Sequence, residues 1–101
     1  MIVYNLSIKV SLEIHEDWVQ WQKQEHIPDI MSTGYFTDHK FFRLLEQDDP
    51  DAIIYIIQYF ASSIKEYEAY INEEAPQLRK KAIEKWGDQF IAFRTVMESV
   101  N

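Results

Sequence analysis

His26 is the residue of this chain best suited to move a proton, because an imidazole ordinarily titrates close to neutral pH. It stands two positions before Pro28. Proline cannot donate a helical hydrogen bond and pushes the preceding residue out of the α region, so a helix is expected to break near His26-Ile27 and free backbone groups there. Asp29, three residues on, can orient the ring, and Glu25 beside Trp21 is a further acid within reach. The roles this suggests are general base for His26 and orienting group for Asp29. The plain alternative is that His26 caps the helix or bonds a carbonyl at the kink.

Candidate binding residues lie on the strands. Arg94 follows Phe93 in an alternating segment, where a guanidinium can hold a carboxylate through two parallel bonds or pair with a surface acid. Asn5 and Ser7 alternate along the N-terminal segment and Tyr59 ends an apolar one, so Asn5, Ser7, Tyr59 and Arg94 form the candidate ligand-binding set. Trp18 and Trp21, at helical spacing, read as core. His15, His26 and His39 lack the pairing of a metal site, and no metal or cofactor is expected. Two glycines are too few for a phosphate loop, and no serine sits in a nucleophile elbow.

These side chains need a frame. From Ile2 to Leu12 apolar residues fall on every second position, which is strand spacing. His15 to His26 follows with acids in the first turn and Ile14, Trp18 and Trp21 along one side of a helix; a short turn restarts at Pro28 and Gly34 caps it. Tyr35 to Leu45 reads as a second strand, Glu46 to Asp51 as an acidic turn, and Ala52 to Phe60 as a third strand, apolar on both faces and hence buried on both. Ser63 with Glu66 opens a helix whose stripe keeps phase through Pro76 to Trp86, a kinked single helix ended by Gly87. Gln89 to Val100 is the fourth strand.

The order is βαββαβ, one α+β domain over residues 1–101. Right-handed crossovers put both helices on one face of an antiparallel sheet of order 4-1-3-2. The other face then exposes strand three, with Phe41, Phe42, Phe90, Ile91 and Phe93 offered in neighbouring registers. A second sheet covering that face makes a homodimer whose barrel lumen Asn5, Ser7 and Arg94 would line; a monomer with a solvated face is the alternative.

Composition narrows the partners. A net charge of −7 opposes nucleic acid and anionic membranes, the lack of cysteine fits a reducing, cytoplasmic compartment, and the N-terminus has neither signal-peptide nor membrane-span character. Val3-Tyr4-Asn5-Leu6 mimics part of an RNA-recognition strand, but strand three lacks the basic and glycine residues of the partner motif.

With that order, the chain resembles the dimeric α/β-barrel, ferredoxin-like superfamily of antibiotic-biosynthesis monooxygenases, EthD-like proteins and muconolactone isomerases. Trp18-x-x-Trp21, Glu25-His26-Ile27-Pro28-Asp29, Thr33-Gly34-x-Phe36, Gln58-Tyr59, Leu78-Arg79 and Phe93-Arg94-Thr95 resemble a small bacterial family of unknown function over essentially the whole chain. His26-Ile27-Pro28 is similar to the His-x-Pro of EthD-like proteins. Asn5 is similar to the first-strand Asn of haem-degrading members, yet the second helix lacks their His. The expected function is a homodimer binding a small, partly apolar, anionic molecule. The alternatives are a cofactor-independent isomerase, cyclase or monooxygenase on an aromatic or polyketide-like substrate, and a structural or regulatory dimer with a filled barrel.

Overall fold

The computed structural model describes residues 1–100. Four strands, β1 (Ile2–Ser11), β2 (Asp38–Arg43), β3 (Ala52–Ala61) and β4 (Phe90–Glu98), pair antiparallel in the order β2-β3-β1-β4. That is the expected order read from the other edge. The helices are α1 (His15–Trp21), α2 (Ile27–Met31), α3 (Ile64–Glu73) and α4 (Ala75–Trp86), and they lie on one face of the sheet.

Alternation in β1 is what seats that layer. Ile2, Tyr4, Ile8 and Val10 are buried beneath the helices, while Val3, Asn5, Ser7, Lys9 and Ser11 point the other way and are only half-buried. The register carries the pattern across the sheet, since Tyr4 pairs with Tyr59, Leu6 with Ile57 and Arg94, and Ile8 with Tyr55 and Ala92. Directly opposed residues share a face. The helix-covered face therefore takes Ile53, Tyr55, Ile57 and Tyr59 from β3, and the open face takes Ile54, Ile56, Gln58 and Phe60.

The second strand is shorter than its apolar run predicts. Phe36 leaves the ladder for the core, with its ring 4.8 Å from that of Tyr70 and 5.3 Å from that of Tyr59. Tyr35 donates its hydroxyl to Glu73, so residues 35 and 36 serve the helix layer, while Thr37 still donates its N–H to the Phe60 carbonyl of β3.

The expected break before Pro28 is also corrected. Ile27 keeps helical angles (φ −62°, ψ −45°), and the chain passes from α1 to α2 through a π-helical turn, Gln22–His26, closed by the Ile27 N–H on the Gln22 carbonyl. A wide turn moves the preceding carbonyls and gives the proline ring room, so the strain that would break an α-helix is absorbed instead. Pro28 then sits in the first turn of α2, where a missing N–H costs nothing.

Between α3 and α4 a single residue, Glu74, interrupts the helix, and its N–H still bonds the Tyr70 carbonyl. Ser63 caps α3 by accepting the Glu66 N–H at 3.4 Å. Gly34 and Gly87 follow α2 and α4 with φ of 82° and 61°, the left-handed region in which a side chain is strained. Among the described residues no helix is long and apolar enough to cross a membrane.

Candidate functional site

A cavity of about 240 Å³ lies between the sheet and the helices. Its floor is Tyr4, Leu6 and Ile8 of β1 with Ile57 and Tyr59 of β3; its roof includes Trp18, Leu78 and Ala82. The exposed members of the lining, Ile83, Gly87 and Arg94, mark a mouth along the edge strand β4. Most apolar wall residues belong to the hydrophobic core, so the cavity opens out of the core itself.

Two guanidiniums reach this space, Arg79 from α4 and Arg94 from β4. No aspartate or glutamate lines it, although the chain carries 17 acids against 10 basic residues. Among the described residues neither arginine has a carboxylate within salt-bridge distance; the ion pairs are Lys9 with Asp49 and Lys80 with Glu84. Arg79 instead donates to the Tyr4 hydroxyl at 3.0 Å. With its oxygen so occupied, that phenol has its own proton to give. The arginine-bearing end of the cavity is thus rich in donors: two guanidiniums and the phenols of Tyr4, Tyr59 and Tyr70.

Burial pushes the Tyr59 and Tyr70 phenols up, each reinforced by Tyr4, so they remain protonated and able to donate. The Tyr59 hydroxyl has no hydrogen-bond partner although the residue is 1% exposed. Leaving such a group unsatisfied costs about 1–3 kcal/mol.

The π-helical turn also presents Gln22 and His26 to this cavity. The His26 ring stacks on Trp21 at 4.4 Å, and Trp21 in turn meets Trp86 edge-on at 5.8 Å. Desolvation lowers the His26 pKa to about 4; Asp29 opposes the shift by its charge and Lys81 adds to it. The expected titration near neutral pH is therefore corrected: at pH 7 the ring is neutral and weakly basic. Asp29 lies beside His26 in a shallow outer groove with Glu25, Lys81 and Lys85, and it makes no hydrogen bond to the imidazole. Its influence there is charge, not orientation by a bond.

The candidate binding residues do not share a face. Tyr59 and Arg94 line the cavity under the helices, whereas the register turns Asn5 and Ser7 to the open side of the sheet. There the Asn5 side-chain oxygen accepts from Gln58 at 3.2 Å. The set is split because Arg94 pairs with Leu6, an inward residue of β1, rather than with its outward neighbours. Trp18 and Trp21 are buried as expected of core, and Trp18 also walls the cavity. Sequence reasoning missed the part played by Gln22, Arg79, Tyr4 and Tyr70. A faint signal existed, since Gln22 is a polar residue in phase with Trp18 on the buried side of its helix. Among the described residues no three potential metal ligands converge.

The fold is ferredoxin-like, and it recurs in solved structures of low identity. An ethyl tert-butyl ether D (EthD) family protein from Bacillus halodurans C-125 matches with a TM-score of 0.67 at 15% identity, over 99% of this chain and 100% of that one. A dimeric ferredoxin-like protein from an uncultured marine organism gives 0.67 at 10%, over 99% and 96%. A point mutant of MhuD with two manganese protoporphyrin IX molecules bound per active site gives 0.71 at 14%, over 100% and 96%. No curated protein matches the sequence. The family model described as "Domain of unknown function (DUF4286)" matches residues 1–100, and the chain belongs to that family.

Proposed function

We propose that this chain binds a small, partly apolar anion in the cavity between sheet and helices, with Arg79 and Arg94 as its anchors. One observation carries the reading: two guanidiniums without carboxylate partners enter a lining that contains no acid, in a chain of net charge −7. A carboxylate suits them, because a guanidinium fork matches its two oxygens and the neighbouring phenols can add donors. The aliphatic and aromatic walls suit a flat hydrocarbon body.

We further infer that two copies pack open face to open face. Phe42, Ile91, Phe93 and Met97 are between 42% and 63% exposed on that face, more apolar surface than a soluble monomer ordinarily leaves uncovered. A dimeric ferredoxin-like neighbour supports the arrangement. Ligand and partner thus use opposite sides of one sheet. Lack of cysteine fits work in the cytoplasm.

Isothermal titration with 2-naphthoate and its uncharged amide, 2-naphthamide, tests the binding reading. The acid is expected to bind at least tenfold tighter than the amide, and Arg79→Met or Arg94→Met to remove most of that preference. Equal affinity for acid and amide, or indifference to both substitutions, would overturn it. Failure of both probes to bind favours a structural dimer with a filled interior.

A second reading is a cofactor-independent isomerase, cyclase or monooxygenase with His26 as base. It is favoured by the neutral imidazole on the cavity wall. A pKa of about 4 leaves little driving force for taking a proton at pH 7, which places binding ahead of catalysis.

A further inference from the structure

We infer that Tyr4 is a positioning residue of the cavity: its hydroxyl holds the Arg79 guanidinium at the lining before any ligand arrives, and the affinity for anions depends on that hold. This rests on the binding reading above and assigns to one phenol the readiness of one of its two anchors.

The two arginines are held differently. Arg79 comes from α4, is half-buried, and donates from Nη2 to the Tyr4 hydroxyl at 3.0 Å. Arg94 is exposed, and among the described residues its side chain makes no hydrogen bond. A guanidinium ends a long side chain with many rotamers, so one that is free in the unliganded protein must be ordered when an anion binds, and that ordering subtracts from affinity. One already bonded at the lining avoids most of this loss.

Tyr4 suits the task because its own ring is packed in place. It lies on β1, with β3 on one side and β4 on the other, and is 2% exposed. Four aromatic rings surround it, those of Tyr67 at 5.4 Å, Tyr70 at 6.0 Å, Phe36 at 6.2 Å and Tyr59 at 6.3 Å between centroids. Packing of this kind fixes where the hydroxyl sits, and a binding group is only as well placed as the side chain behind it. Both Tyr4 and Arg79 line the cavity, so the bond from sheet to helix runs along its wall.

The hold leaves the guanidinium usable. It has several N–H donors, and the bond to Tyr4 engages one nitrogen. A neutral phenol also restrains the arginine without cancelling its charge, as a carboxylate in the same place would. That charge is felt inside the cavity: burial, with Tyr4, pushes the Tyr70 phenol up, and Arg79 and Arg94 both oppose the shift. The two guanidiniums therefore act on one phenol of the lining.

Calorimetric titration of the protein with 2-naphthoate, in a double-mutant cycle of Tyr4→Phe and Arg79→Met, tests the assignment. Tyr4→Phe keeps the packed ring and removes only the hydroxyl. Alone it is expected to weaken 2-naphthoate by about three- to tenfold, the effect of one side chain that must now be ordered on binding, and to narrow the advantage of the acid over 2-naphthamide by a similar factor. Where Arg79→Met is already present, Tyr4 has no guanidinium to act through, so the two losses combine to much less than their product. If Tyr4→Phe costs the same factor in both backgrounds, the phenol acts on the ligand or on the fold directly and the inference is overturned. If it changes neither affinity nor preference while the wild type prefers the acid, the role of Tyr4 is refuted and the arginine site stands. A wild type that shows no preference for the acid, or binds neither probe, removes the binding reading and this inference with it.

A second measurement needs no change at Tyr4 and decides even if Tyr4→Phe does not fold. The chain has three arginines, Arg43, Arg79 and Arg94, and Arg79→Met identifies the side-chain Nε signal of one of them. In the ligand-free wild type the Arg79 Nε–H is expected to have an NMR order parameter nearer the roughly 0.85 of rigid backbone than the values below about 0.6 of a flexible group. A freely moving Arg79 overturns the inference.

Discussion

The two faces of the sheet are built from the same four strands, yet they leave opposite kinds of group unsatisfied. Under the helices, apolar side chains are packed and the loose ends are polar: the Tyr59 hydroxyl, the Gln22 amide oxygen and two guanidiniums without acids. On the open face Asn5 is bonded to Gln58 and Lys9 to Asp49, and the large apolar side chains Phe42, Ile91 and Phe93 are exposed. Unpaired polar groups lining a cavity suit a small ligand with matching donors and acceptors. Unpaired apolar surface in water calls for another surface. On the binding and dimer readings proposed above, one sheet would serve two partners of different chemistry, with neighbouring residues on a strand dividing the work.

Adjacent residues give the sharpest ways to break this comparison. The largest effect is expected at Ile57, which is 1% exposed beneath the helices. Ile57→Ala should cost about 2–5 kcal/mol in urea unfolding, whereas Ile56→Ala, one position along on the open face, should cost clearly less and act mainly on self-association. Equal costs would mean that both faces are core.

Next comes pH. The folded His26 pKa of about 4 lies below its ordinary 6.5, so between these values the unfolded chain binds more protons than the folded one, and stability falls as pH drops. Above pH 6.5 the contribution is fully present in the neutral ring. The loss amounts to about 3 kcal/mol at most. In His26→Gln the urea-unfolding free energy should fall less steeply than in wild type from pH 6.5 to 4; parallel profiles would show that the ring is not desolvated.

The neighbours Phe93 and Arg94 should separate the two partners. Phe93→Asp is expected to convert a dimer to a monomer in sedimentation equilibrium while leaving 2-naphthoate affinity within a few-fold. Arg94→Met should weaken that affinity roughly tenfold, as loss of one charged hydrogen-bond donor does, without changing the sedimentation. A crossed result, with Arg94 controlling assembly, would reverse the assignment of faces. The smallest effect belongs to Asn5→Ala, which removes one partly exposed bond to Gln58 and should cost about 0.5–1.5 kcal/mol, with no change in ligand binding.

Much of the frame was legible from spacing. Alternation in β1 named the residues beneath the helices before any pairing was known, and Gly34, Gly87 and Ser63 marked helix ends that the structure keeps. β3 was harder, because a strand apolar on both faces carries no signal for which set turns inward; pairing of Leu6 with Ile57 decides it. The same pairing explains the split of the candidate site. Asn5 and Arg94 look alike as polar residues on strands, and only register tells that Arg94 shares a face with Leu6 while Asn5 does not. Arg79 and Gln22 could not be joined from spacing, since they meet across the cavity from different helices. The π-turn left no trace in composition, as its cause is the fit between Pro28 and the carbonyls before it.

That turn has a further consequence in counting. Each residue of an α-helix advances about 100° around the axis, and the wide turn takes up one more residue than an α-turn while α1 and α2 keep their places on the sheet. It acts as a one-residue spacer between Trp21 and Ile27. Losing one residue from this stretch would set Pro28 against the carbonyls of an ordinary α-turn again and rotate Gln22 and His26 out of their present positions.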